Sequence, residues 1–233
     1  YLINGISLGS VYALIALGYT MVYGIAKMLN FAHGDVIMIG SYVVYFAFGA
    51  SGLNPVLSIV LSMIVCTILG VVIERLAYRP LREAPSLAVL ITAIGVSYLL
   101  QQVAQLSWSS NPKSFTSVVS GMKPVSLFGG QLTISAETIV TIVACVVIMV
   151  VLMWFVNYTP AGHAMLAVSE DRGAAQLMGV NVNGTISLTF AIGSALAAIA
   201  GALLCSSYPT LQPTTGAMPG IKAFVAAVFG GIG

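Results

Sequence analysis

Seven apolar segments, at about 1–26, 31–50, 53–74, 86–106, 136–157, 184–206 and 219–233, restrict what this chain can fold into. A membrane-crossing helix needs about 20 apolar residues. The lengths here therefore suit an all-α, polytopic membrane helix bundle of about six to seven segments. Only 6% of the residues are charged, against about 25% in an ordinary soluble domain. A surface so poor in charge cannot stay in water, so its solvent is lipid. The net charge of +2 contains no basic run suited to nucleic acid. Cys66, Cys145 and Cys205 lie in separate apolar runs and read as small buried hydrophobes. No Cys/His cluster has the spacing of a metal site. The chain starts at Tyr1 and stops at Gly233 just after an apolar run, so a C-terminally truncated piece of a longer polypeptide is expected.

Positive charge in short loops marks the cytoplasmic side. Arg75, Arg79 and Arg82 crowd the link between the third and fourth segments, which places that link inside. Residues 107–135, with Lys113 and Lys123, are then an external loop. Within it, Val118–Val119 and 131–134 read as short strands, and Gly121, Pro124, Gly129 and Gly130 break the rest. The fifth segment returns to the inside, so 158–183 is cytoplasmic. Counting backwards puts Lys27 inside and the N-terminus outside, provided the second segment spans rather than re-enters.

Several motifs carry packing or polar chemistry. Gly5 and Gly9 form a G-x-x-x-G, and Gly193, Ala197 and Gly201 repeat that spacing, which lets helix backbones approach closely in lipid. Asn30-Phe-Ala-His33-Gly-Asp35 is the main polar string at membrane depth. Asn30 suits an N-cap, and Asp35 suits the positive end of the helix that follows. The same string also reads as a polar gate beside a substrate path, because an intramembrane charge is costly and is kept for use. Glu74 beside Arg75 reads as an interfacial pair. Pro and Gly between Thr210 and Gly220 mark an external loop or a broken element along a translocation route. Gly5-Ile-Ser-Leu-Gly9 has the letters of a nucleophile elbow but lies in an apolar helical run without partners, so no catalytic residue is expected. No phosphate-binding G-x-x-x-x-G-K-[ST] occurs, so an ATP-driven process would need its motor in another polypeptide.

The strings Asn4-Gly5, Gly9 through Gly18, Tyr23-Gly24, Asn30 through Gly34, Glu74 through Arg82, Ala174 through Asn181, Leu188-Thr-Phe190, Lys222-Ala-Phe224 and Gly230 through Gly233 together resemble the LivH-type permease of bacterial ABC importers for branched-chain amino acids. The resemblance runs along essentially the whole chain. It implies a single transmembrane permease domain over 1–233, in the bacterial cell (inner) membrane. It also implies a second homologous permease, two cytoplasmic ATP-binding subunits and a periplasmic binding protein, with no cofactor of its own. Permeases of this class couple to their motor through a cytoplasmic E-A-A-x-x-x-G helix. Ala174-Ala175-Gln-Leu177-Met178-Gly179 fits the A-A-x-x-x-G part, while Gly173 stands at the glutamate position and Glu170 lies three residues earlier. Glu170, Asp171 and Arg172 at the front of this helix are expected to fix its register on the partner. Asn30, His33 and Asp35 are the candidates for the path. The nearest rival is an importer of urea or a short amide, and a passive small-amide channel is the third reading.

Overall fold

The computed structural model describes residues 2–82, 84–119, 125–127 and 132–231. Among the described residues, five helices are long and apolar enough to cross a membrane. They are α1 (Leu2–Ala26), α3 (Pro55–Ile73, running on as tighter and looser turns to Leu81), α4 (Ser86–Trp108), α5 (Ala136–Tyr158) and α8 (Val182–Ser207). Two shorter helices complete the bundle, α2 (His33–Val44, extended to Ala50 by a π-helical turn) and α9 (Ala217–Gly230). The helices α6 (Pro160–Glu170) and α7 (Arg172–Leu177) link α5 to α8.

Local chemistry fixes most of the helix starts. The Asn54 side chain accepts the Val56 N–H at 3.0 Å, with Pro55 at the first helical position. Ser135, Thr159, Asp171 and Asn181 cap α5, α6, α7 and α8 in the same way. Gly162 allows the sharp corner between α5 and α6, because a Cβ there would strike the Val156 and Phe155 carbonyls. Asn30 does not cap α2 as its sequence suggests. The helix starts after Ala32, and the Asn30 side chain is taken by a more distant partner.

Helix α8 is the hub, packed against α1, α2 and α3. Small residues make this possible. Gly193 meets Gly18 of α1, and a Cβ on Gly201 would stand 2.5 Å from the Ile37 carbonyl oxygen of α2. Ala197 and Ala198 are fully buried beside them. Gly5 and Gly9, expected to seat a helix, do not do so among the described residues. No other part of the described chain lies within 4 Å of where their Cβ atoms would stand. Cys66, Cys145 and Cys205 are free and buried.

Two helices start inside the bundle. His33, the first residue of α2, packs its ring 4.7 Å from that of Tyr19. Tyr19 lies seven residues before the Ala26 end of α1, roughly 10 Å along its axis. The chain therefore turns back into the membrane after Lys27 and becomes helical only within the bundle, and the second segment then runs on to the far end, where Tyr42 stacks on Trp108 and Lys113 lies over Tyr45. Helix α9 begins at the same level. A Cβ on Gly34 would stand 2.6 Å from the Gly216 carbonyl oxygen. The Pro- and Gly-rich stretch is thus a broken element. Pro219 sits in the first turn of α9, where the missing N–H costs nothing.

At the far end from the arginines, β1 (Lys113–Ser114) pairs antiparallel with β4 (Thr210–Leu211). Phe115 and Leu211 close a second small core with Met38, Tyr42 and Cys205. Strands β2 (Val125–Leu127) and β3 (Leu132–Ile134) form a hairpin. Val118–Val119 forms a turn rather than the expected strand, because the Val118 N–H is taken by the Ser206 hydroxyl at 3.4 Å. Gly121, Lys123, Pro124, Gly129, Gly130 and residue 131 lie outside the described residues.

Candidate functional site

The end that carries Arg75, Arg79 and Arg82 gathers the close of α1, the close of α3 and the start of α8 around α6 and α7. Helix α7 is built for contact. Asp171 caps it by accepting the N–H groups of Gly173 at 2.7 Å and Ala174 at 3.0 Å. Gly179 ends it at φ +87°, a left-handed conformation that favours glycine. Between these stops one face is anchored and the other is free. Ala175 is 4% exposed and packs inward, whereas Leu177 is 90% and Met178 84% exposed. Ala174 and Gln176 are also exposed. Six helical residues and the Met178 that follows them, with Leu177 and Met178 turned outward, form a compact plug for a groove. Glu170 ends α6 and is exposed, so the cap that sets this helix comes from Asp171 instead.

Polar side chains fasten this plug to the membrane helices. Arg172 donates to the carbonyl of Ala26, the last residue of α1. Burial, and then the nearby Arg82 guanidinium, hold Arg172 below its ordinary pKa. Arg82 in turn donates to Glu74 and to Asn183. Glu74 is fully buried and also accepts the Ser187 hydroxyl at 2.6 Å. The expected Glu74–Arg75 interfacial pair is therefore replaced by a buried Glu74–Arg82 pair. The π-helical turn at Glu74–Tyr78 and the tight turn at Arg79–Leu81 swing Arg82 back over Glu74.

Deeper in the bundle, Asn30, His33 and Asp35 are all buried. Each meets a different helix. Asn30 accepts the Tyr78 hydroxyl at 2.9 Å. Asp35 accepts the Gln101 amide of α4 at 2.9 Å, and Gln101 also reaches Ser97 at 3.3 Å. His33 lies against Tyr19, where a Cβ on Gly18 would stand 2.5 Å from its Nε2. That Nε2 has no hydrogen-bond partner among the described residues. A seam of neutral and acidic groups thus runs from the α1–α2 link towards the meeting of α2 and α9.

The family described as "Branched-chain amino acid transport system / permease component" matches residues 1–233. The chain belongs to this family. It is 44% identical over 244 residues to the high-affinity branched-chain amino acid transport system permease protein BraD of Pseudomonas aeruginosa, covering 100% of this chain and 78% of that one. It is 43% identical to the corresponding LivH protein of Salmonella typhimurium over 99% of this chain and 78% of the relative. A probable branched-chain amino acid transport permease of Methanocaldococcus jannaschii is 30% identical over 94% of this chain and 70% of its own length. No solved structure matches.

Sequence reasoning found α7, the Asn30–Asp35 string, Glu74 and Arg82 but missed the partners of the last three. Tyr78, Gln101, Asn183 and Ser187 lie 48, 66, 101 and 113 positions from the residues they bind. Helix α6 had a signal, Thr159 followed by Pro160, which is a cap residue followed by a favoured first helical residue.

Proposed function

We propose that this chain is the membrane-spanning subunit of an ATP-driven importer of branched-chain amino acids, in the bacterial inner membrane. The observation that carries the proposal is α7, a capped helix with Leu177 and Met178 exposed at the basic end and fastened to α1 through Arg172. The arginines at that end support a cytoplasmic location for it. Two ATP-binding subunits would receive α7 and its counterpart on a second permease, and an external binding protein would deliver the substrate. The chain itself does no covalent chemistry and needs no cofactor, since ATP is spent by the partners.

In this reading α7 moves with its ATP-binding subunit as a rigid plug. The Arg172–Ala26 contact passes the motion to α1, and the Arg82 bridge passes it to α3 and α8. These helices rock about the glycine contacts of α8, opening the bundle alternately to either side. Asn30, His33 and Asp35 line the route once α2 and α9 part, with Asp35 offering a carboxylate to the substrate ammonium. The apolar side chain of the substrate passes along the apolar wall.

Reconstitution of the complete complex in liposomes tests this. ATP enclosed with the motor should drive uptake of labelled leucine and not of labelled urea. Replacing Ala174 and Gly179 together with bulky residues should abolish uptake while leaving insertion intact. Equal leucine flux without ATP, or uptake of urea alone, would overturn the proposal.

A further inference from the structure

A cavity of about 360 Å³ opens at the basic end between the α1–α2 link, the start of α4 and Arg172. Lys27, Arg82 and Arg172 all line it. A second cavity, of about 290 Å³, adjoins it and is lined by the same two arginines with Gln176 and Asn183. No described residue lining either cavity is acidic. Among the described residues, Glu74 is the only carboxylate hydrogen-bonded to these cations. Of the three positive side chains, Arg82 pairs with Glu74 and Arg172 donates to the Ala26 carbonyl, while Glu83, next to Arg82 in sequence, lies outside the described residues. The Arg82 Nε is buried and has no hydrogen-bond partner among the described residues.

The backbone adds to the positive field. Helix α4 starts after Pro85, which brings no side-chain cap, and Ser86 lines the cavity. The free N–H groups of a helix's first turn attract anions. The rest of the lining is apolar, with Tyr23 and Leu29 on one side and Leu81 and Val89 on the other. A polar, cationic floor under apolar walls, at the end of a membrane bundle, matches a lipid with a charged headgroup.

We infer that this cavity binds the phosphate of an anionic phospholipid from the cytoplasmic leaflet, with Lys27, Arg82, Arg172 and Ser86 around the phosphate. Basic pockets between membrane helices on the cytoplasmic side take such headgroups. A soluble phosphate would satisfy the same cations but would leave the apolar walls uncovered. The bound headgroup would sit at the joint where Arg172 fastens α7 to α1, so it would stiffen the joint through which motor movement passes. The inference depends on this end facing the cytoplasm and not on which substrate is carried.

The test uses the full-length permease in its complete complex, held in neutral detergent and followed by native mass spectrometry. Phosphatidylglycerol should remain bound where phosphatidylcholine does not. Lys27→Gln should weaken phosphatidylglycerol about fivefold, the loss of one cation near the surface. Lys27→Arg should restore it, and Lys113→Gln at the opposite end should change nothing. Inorganic phosphate at equal concentration should not displace the lipid. Equal retention of the two lipids, or identical affinity in the Lys27→Gln complex, would overturn the inference. Full displacement by inorganic phosphate would give the site to a soluble anion. Lipid binding seen only after the ATP-binding subunits are stripped away would give it to an acidic group of that partner. Either result would overturn the lipid assignment.

Discussion

Replacing Glu74 with glutamine changes little in shape and much in charge. Glu74 is fully buried, and the side chain of Arg82 is 13% exposed. Glutamine can still accept the Ser187 hydroxyl, so the main loss is the counter-charge of Arg82. Removing one partner of a buried pair costs about 3–5 kcal/mol, because the other charge is left uncompensated. The retained hydrogen bond places Glu74→Gln near the lower limit, at about 3 kcal/mol. Arg82→Met strands the carboxylate instead and should cost at least as much. The double variant Glu74→Gln/Arg82→Met removes both charges. A buried pair replaced by groups of similar volume is often near neutral, so the double variant should lie within about 1 kcal/mol of the parent. Titration with SDS in mixed micelles, followed by fluorescence of Trp108 and Trp154, reads these differences. A Glu74→Gln loss below about 1 kcal/mol, or a double variant as unstable as the sum of the singles, would refute a desolvated pair at this position.

Three further outcomes follow from the geometry. Gly201→Leu should destabilise the bundle by about 1–3 kcal/mol or more in the same titration, since its side chain must displace the Ile37 carbonyl and the Ser41 hydroxyl. Gly9→Leu meets open space and should leave the stability of the isolated chain unchanged. Asp171→Ala removes the cap of α7 at a local cost of about 1 kcal/mol. It should leave global unfolding unchanged while lowering leucine uptake by the reconstituted complex.

Much of this fold is written locally. Asn54-Pro55, Ser135 and Asn181 announce helix starts that the structure places within about two residues of the apolar boundaries. The apolar lengths mark the five long helices, yet the second segment, at about 31–50, is nearly as long and is not told apart from them by length. What the sequence hides is long-range. Asn30 looks like a cap until Tyr78, 48 positions away, claims its side chain. Glu74 looks paired with its neighbour until a π-helical and a tight turn bring Arg82 across. Gly5 and Gly201 share a motif, yet only Gly201 touches another helix, because a spacing pattern does not say what lies opposite. The start of α2 inside the bundle is hidden for the same reason. Nothing in Phe31-Ala-His-Gly34 reveals that Gly216, 182 positions later, fills the space beside it.

The central claim is that α7 seats on an ATP-binding subunit. A photo-activated cross-linking residue at position 177 in the complete complex tests it most directly. The account predicts a protein adduct with that subunit from position 177, and only lipid adducts from position 154, where Trp154 faces outward from α5. Lipid adducts alone from both positions would contradict it.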